Sequence, residues 1–82
     1  MIINPIKKRR VEKGLTQVDL ALLVEVSQMH ISHFETGGVT PSEKHTKKIA
    51  EILGISPEDL DKELNQFYEA RRKELEKKIG QR

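Results

Sequence analysis

An all-α fold of five helices, the last much longer than the rest, is predicted by three features of this sequence. First, Thr16, Ser27 and Ser56 each stand as an N-cap. Around each cap a pair of apolar residues has the spacing of a hydrophobic staple: Leu15 with Leu20, Val26 with Ile31, and Ile55 with Leu60. Second, Gly14, Gly37 and Gly54 close apolar segments where a helix can end in the left-handed conformation. Third, no stretch carries the period-two alternation of a strand.

Composition narrows the class of function. At 82 residues the chain is one domain with a modest core, which an oligomer contact would help. It has no cysteine, so it has neither a disulfide framework nor a thiolate metal site. Met1-Ile2-Ile3 is too short for the apolar region of a signal peptide, and no run approaches eighteen apolar residues. A cytoplasmic protein is expected. His30 and His33 share a helix face, but with His45 elsewhere they lack the third ligand zinc wants, so no metal and no cofactor are expected. No nucleophile set and no glycine-rich phosphate loop appears, so the chain reads as a non-enzyme. The net charge of +2 is too small to imply nucleic acid by itself. Its distribution is uneven, because residues 1–64 hold nine basic and ten acidic groups whereas 65–82 hold six and three.

The most informative stretch runs from Thr16 to Gly37. Thr16 caps the first helix with Asp19 in the acidic place of a capping box, and Ser27 caps the second. Only Glu25 to Ser27 separate the two apolar patterns, so the helices must cross steeply, which is the helix-turn-helix geometry. Leu20, Ala21, Val24, Val26, Ile31 and Phe34 point inward on this reading. Gln28, Met29, Ser32 and His33 are left on the outer face of the second helix. An ordinary helical hairpin with a solvated polar face would show the same periodicity.

Thr16-Gln17, Leu20-Ala21, Val26-Ser27, Ile31-Ser32, Phe34-Glu35 and Gly37, followed by Pro41-Ser42 and Ile49-Ala50, resemble the lambda-repressor-like helix-turn-helix domain of Cro/cI and XRE-type regulators. The likeness runs from about Ile6 to Leu60. Glu25 departs from it, standing where the family usually has glycine. If that turn keeps a positive φ, a Cβ there costs about 1 kcal/mol.

The resemblance implies double-stranded DNA as partner, with the second helix in the major groove. Gln28 would pair with adenine, Met29 pack on a thymine methyl and His33 donate to a guanine edge, with Ser32 adaptable between them. No arginine or lysine lies on this face, so part of the sequence preference would rest on DNA shape or water. Gln17, Ser27, Gly38, Thr40 and Lys44 are the expected phosphate contacts. Arg10 and Glu35 are expected to form a structural ion pair, and His30 to take a packing or phosphate role.

The remaining elements follow in order. Asn4 caps helix 1, Pro5 enters it and Gly14 ends it, with Ile6 and Val11 as its thin apolar side. Lys7, Lys8 and Arg9 read as a solvated basic run. Thr40-Pro41-Ser42-Glu43 reads as a capping box for helix 4, whose apolar positions are Ile49, Ala50, Ile52 and Leu53. Glu43 and Thr46 stand where the family tends to be apolar, so the first half of this helix is expected to pack poorly or face solvent. After Ser56 no breaker appears before Gly80.

Two segments follow from this: a helix-turn-helix domain over 1–64, and an amphipathic C-terminal helix over 65–82. Leu64, Phe67, Tyr68, Leu75 and Ile79 form a stripe that needs a cover, and a second copy of the chain is expected to provide it. Glu58 with Lys62, Glu69 with Lys73 and Glu74 with Lys78 lie at the helpful i to i+4 spacing. The sequence reading is therefore a sequence-specific DNA-binding regulator, a repressor that reads a near-palindromic operator as a homodimer. A regulatory partner protein is the remaining expected contact. The alternative is a protein-interaction adaptor or antitoxin on the same fold, holding a partner through the C-terminal helix.

Overall fold

Side-chain caps set where each helix begins. In the computed structural model, which describes residues 3–80, the Asn4 side chain accepts from the amides of Ile6 and Lys7 and starts α1 (Pro5–Glu12). The ends of the two expected segments, residues 1–2 and 81–82, lie outside the described residues. Thr16 and Asp19 form the reciprocal capping box of α2 (Gln17–Val24). Ser27 caps α3 (Gln28–Thr36), and Gly37 closes it with φ 86°. α4 (Glu43–Leu53) follows, and Ser56 accepts from the Asp59 amide at the start of α5 (Pro57–Gly80).

Glu25 closes α2 with φ 67° and ψ 44°, and among the described residues it is the one non-glycine with positive φ. The turn keeps the geometry that favours glycine although this chain does not supply one. That backbone turn is what lets α3 cross α2 steeply after two further residues.

The five helices bury one core. Ile6, Leu20, Ile31, Ile49 and Leu60 are fully covered, with Ala21, Val24, Phe34, Ala50, Leu53 and Leu64 around them. Each large aliphatic side chain so buried contributes about 1.5–3 kcal/mol, an upper bound on its net effect. α1 packs on α3, α4 and α5, α2 on α3 and α4, and α4 on α5. α2 is aliphatic at six of its eight positions, yet buries only Leu20, Ala21 and Val24, leaving Val18, Leu22 and Leu23 outward.

Several expectations are corrected here. Val11 is exposed, because the two-turn α1 turns Ile6 and Arg10, one turn apart, toward the core. Ser42, not Thr40, caps α4: its hydroxyl accepts from the His45 amide, Pro41 is buried ahead of it, and Thr40 lies outside the helix. Thr46 is buried, since it lies on the core side of α4 one turn before Ala50. Arg9 is no solvated charge. It forms a two-pronged ion pair with Glu63 (2.6 and 3.2 Å) that ties α1 to α5.

α5 is continuous through the expected boundary at residue 64. Its 24 residues make a rod of about 36 Å, which gives the molecule its long dimension of 45 Å against 24 and 22 Å. Leu64 and Phe67 are only 2% and 7% exposed, and Tyr68 is half-buried against the core. These three residues of the expected dimer stripe are covered by their own domain. The packed part thus extends past residue 64, and only Leu75 and Ile79 of the stripe remain exposed. Ion pairs on the free part join Arg72 to Glu69 and Arg71 to Glu74 at i,i+3 spacing, rather than the lysines expected at i+4.

Candidate nucleic-acid interface

Apolar packing of Ile31 and Phe34 fixes which side of α3 faces out. Gln28, Met29 and His33 are exposed, Met29 by 67%, and Ser32 is half-buried beside them. The four residues expected to read bases therefore lie on one accessible ridge. None of them is consumed by the core, so amide, thioether, hydroxyl and imidazole are all available to base edges.

A chain of hydrogen bonds runs under one end of this ridge. The Arg10 guanidinium gives Nε and Nη2 to the two oxygens of Glu35 (2.6 and 3.0 Å), and its Nη1 donates to the Leu15 carbonyl at 2.8 Å. The pair expected from the sequence is present and buried. The hydrogen bond from Glu35 holds the Arg10 guanidinium above its ordinary range against the opposing effect of burial, so it stays charged. Glu35 also accepts from Gln17 Nε2 at 3.1 Å, and Gln17 Oε1 accepts from Gln28 Nε2 at 3.3 Å. α1, the end of α3, the start of α2 and the start of α3 are thus linked through polar groups. The resemblance placed Gln17 at a phosphate; the structure adds that its amide is held from both sides.

At the start of α3, Ser27 Oγ lies 2.7 Å from His30 Nδ1 and also accepts the His30 amide. The hydroxyl expected at a phosphate is therefore engaged within its own chain. His30 Nε2 is left as the free polar atom of that pair on an exposed side chain, in keeping with a packing or phosphate role. His30 and His45 flank Phe34, with ring centroids 6.4 and 6.2 Å from it.

The connection from α3 to α4 is more specific than its glycines suggested. The amides of Gly37, Gly38 and Val39 all point at the His33 carbonyl, at 3.1, 2.9 and 3.3 Å. The Gly38 amide is therefore spent inside the helix end, and Gly38 can serve a phosphate only by close approach. Thr40, which caps nothing, keeps its hydroxyl exposed beyond that turn. Lys44 follows on α4. With Lys47 and Lys48 it lines an open groove of about 530 Å³ that also holds Glu25, Glu43 and Glu51, so the lysines stand among as many carboxylates.

Sequence reasoning missed two features, the Arg9–Glu63 pair and the seat of this connection on α5. Both join residues far apart in sequence, and neither residue type in isolation announces its partner.

A steep two-helix unit with a supported and accessible polar ridge defines a DNA-reading class of protein, and the comparisons agree. The pattern of the family described as "Helix-turn-helix" matches residues 6–60. The chain belongs to the XRE-type helix-turn-helix family of DNA-binding transcription regulators, not to an enzyme class. It is similar to the uncharacterized HTH-type transcriptional regulator YqaF of Bacillus subtilis (strain 168), with 39% identity over 50 residues. That match covers 61% of this chain and 66% of the relative, just under two thirds of its length. The fold is similar to the crystal structure of the clp gene regulator ClgR from Corynebacterium glutamicum, with a TM-score of 0.67 and 26% identity. This likeness covers 93% of the chain and 87% of the ClgR chain. Among the described residues, no helix is long and apolar enough to cross a membrane.

Proposed function

We propose that this protein is a cytoplasmic, sequence-specific repressor that occupies a near-palindromic operator as a homodimer and reads each half-site with α3. The observation that carries the proposal is the ridge of Gln28, Met29, Ser32 and His33, turned outward and backed by the Arg10–Glu35–Gln17 chain. A base-reading side chain must be held before contact, or binding loses the entropy of ordering it. The Gln17–Gln28 bond supplies that restraint, and leaves Gln28 Oε1 and one N–H for the paired adenine contact.

Phosphate positioning falls to Thr40, Lys44 and Gln17, with the amides of Gln17 and Val18 at the start of α2 as further donors. Gly38 and Ser27 contribute by close approach and by shaping the backbone. The homodimer reading now rests on Leu75 and Ile79, which sit i,i+4 on a helix projecting from the domain. Two apolar side chains make a weak interface, so the dimer forms mainly on DNA, where two half-sites raise the effective concentration.

Selection of bound duplexes from a random DNA pool tests this directly. The expected product is a symmetric consensus whose half-sites lie about 34–36 Å apart, one helical turn. A pool that yields no consensus would contradict the proposal, and a chain that selects nothing yet holds a protein through α5 would be an adaptor instead.

A further inference from the structure

The part of α5 expected to serve a second copy instead meets the connection between α3 and α4. Gly37 sits on two aromatic rings: a Cβ there would lie 3.5 Å from Phe67 Cε2 and 3.6 Å from Tyr68 Cδ1. The two rings meet edge to face with centroids 5.6 Å apart, a firm platform rather than one mobile side chain. The Tyr68 hydroxyl reaches the Phe34 carbonyl at 3.5 Å, on the far side of the same turn. That carbonyl also accepts from Asn4 Nδ2 at 3.0 Å, so the end of α3 is fixed from α1 and from α5 together. The Thr40 hydroxyl lies close enough to the phenol to act on its titration, opposing the rise that burial causes.

We infer that Tyr68 is a positioning residue for DNA binding: it seats the Gly37–Thr40 connection on α5 and so aims the Thr40 hydroxyl at a backbone phosphate. This rests on the DNA-binding reading above and assigns α5 a second task, as a strut for the phosphate-facing turn. Thr40 is the group in that turn with its hydroxyl outside any helix cap, while the three amides before it are spent on His33. Without the phenol, the turn keeps its fold but not its aim.

Tyr68→Phe removes the hydroxyl and keeps the ring, so the core survives. The test is operator binding by the full chain across a range of salt concentrations, on the duplex recovered by selection. Losing one phosphate contact lowers the slope of log K against log salt by about 1 per protomer, and affinity at fixed salt by about threefold to tenfold. Ethylation interference should lose one phosphate in each half-site and leave the base contacts unchanged. Because Tyr68 acts through Thr40, adding Tyr68→Phe to Thr40→Val should cost nothing more. Thermal melting of each variant shows that the fold is kept, and binding is referred to the folded fraction. Wild-type affinity, slope and interference pattern in Tyr68→Phe would overturn the inference while leaving the DNA-binding reading intact. A wild-type chain that binds no duplex would sink both.

Discussion

Replacing Glu35 with alanine probes the chain of contacts on which the recognition helix stands. Its carboxylate accepts from Arg10 Nε at 2.6 Å, Arg10 Nη2 at 3.0 Å and Gln17 Nε2 at 3.1 Å. The Arg10 and Glu35 side chains are 9% and 2% exposed, so water cannot replace these bonds without opening the structure. Glu35→Ala leaves the guanidinium buried with only the Leu15 carbonyl for company. Breaking a buried pair from one side costs about 3–5 kcal/mol. A domain of this length is stable by roughly 4–12 kcal/mol, so the variant loses a large share of its stability. The melting temperature should fall by at least about 12 °C, taking 4–8 °C per kcal/mol. Urea unfolding followed by circular dichroism at the helix band measures the loss. The double variant Arg10→Met with Glu35→Leu should recover most of it, because apolar groups of similar size remove the unpaired charge. A loss below about 1 kcal/mol in Glu35→Ala would refute the reasoning, since that is the worth of an exposed pair.

Three further outcomes follow from other sites. Glu25→Gly relieves about 1–2 kcal/mol of left-handed strain and adds about 0.5–1 kcal/mol of chain entropy in the unfolded state, so it should stabilise by roughly 0.5–1 kcal/mol; a lower melting temperature would contradict this. Asp19 has its pKa lowered from 3.8, chiefly by the Thr16 backbone amide, so its contribution is present above that value and is lost as pH falls through the lower folded value. The advantage of wild type over Asp19→Asn in melting temperature should accordingly be flat near neutrality and shrink below about pH 4, and an advantage that grew with acid would be the wrong sign. Leu75→Glu with Ile79→Glu should leave the melting temperature within about 0.5 kcal/mol of wild type, because both sites are exposed, while weakening full-site binding more than half-site binding; equal loss on both would remove the tail from the dimer.

Local chemistry was legible where a residue's role depends on its near neighbours in the chain. The caps at Asn4, Thr16, Ser27 and Ser56 and the left-handed Gly37 could all be read, because a cap is decided within four residues. The outward ridge of α3 followed from the 3.6-residue period, and the Arg10–Glu35 pair from the family resemblance. The cover of a stripe was not legible. Leu64, Phe67 and Tyr68 are equally apolar whether their own domain or a second copy lies over them, and only the path of α5 past Gly37 decides it. The same holds for Arg9, whose partner Glu63 is 54 positions away. At α4 two caps competed over three residues, and Ser42 prevailed with Pro41 buried in front of it, which freed Thr40. Thr46 was misplaced because residue type was weighed above its position on the core side of α4.

The claim on which the functional account depends is that α3 reads bases. Operator selection repeated with Gln28→Ala is its most direct measurement. The account predicts a loss of about 1–3 kcal/mol on the wild-type consensus and relaxed choice at one base pair in each half-site, with the other positions and the salt slope kept. A variant that returns the wild-type consensus at wild-type affinity would contradict it.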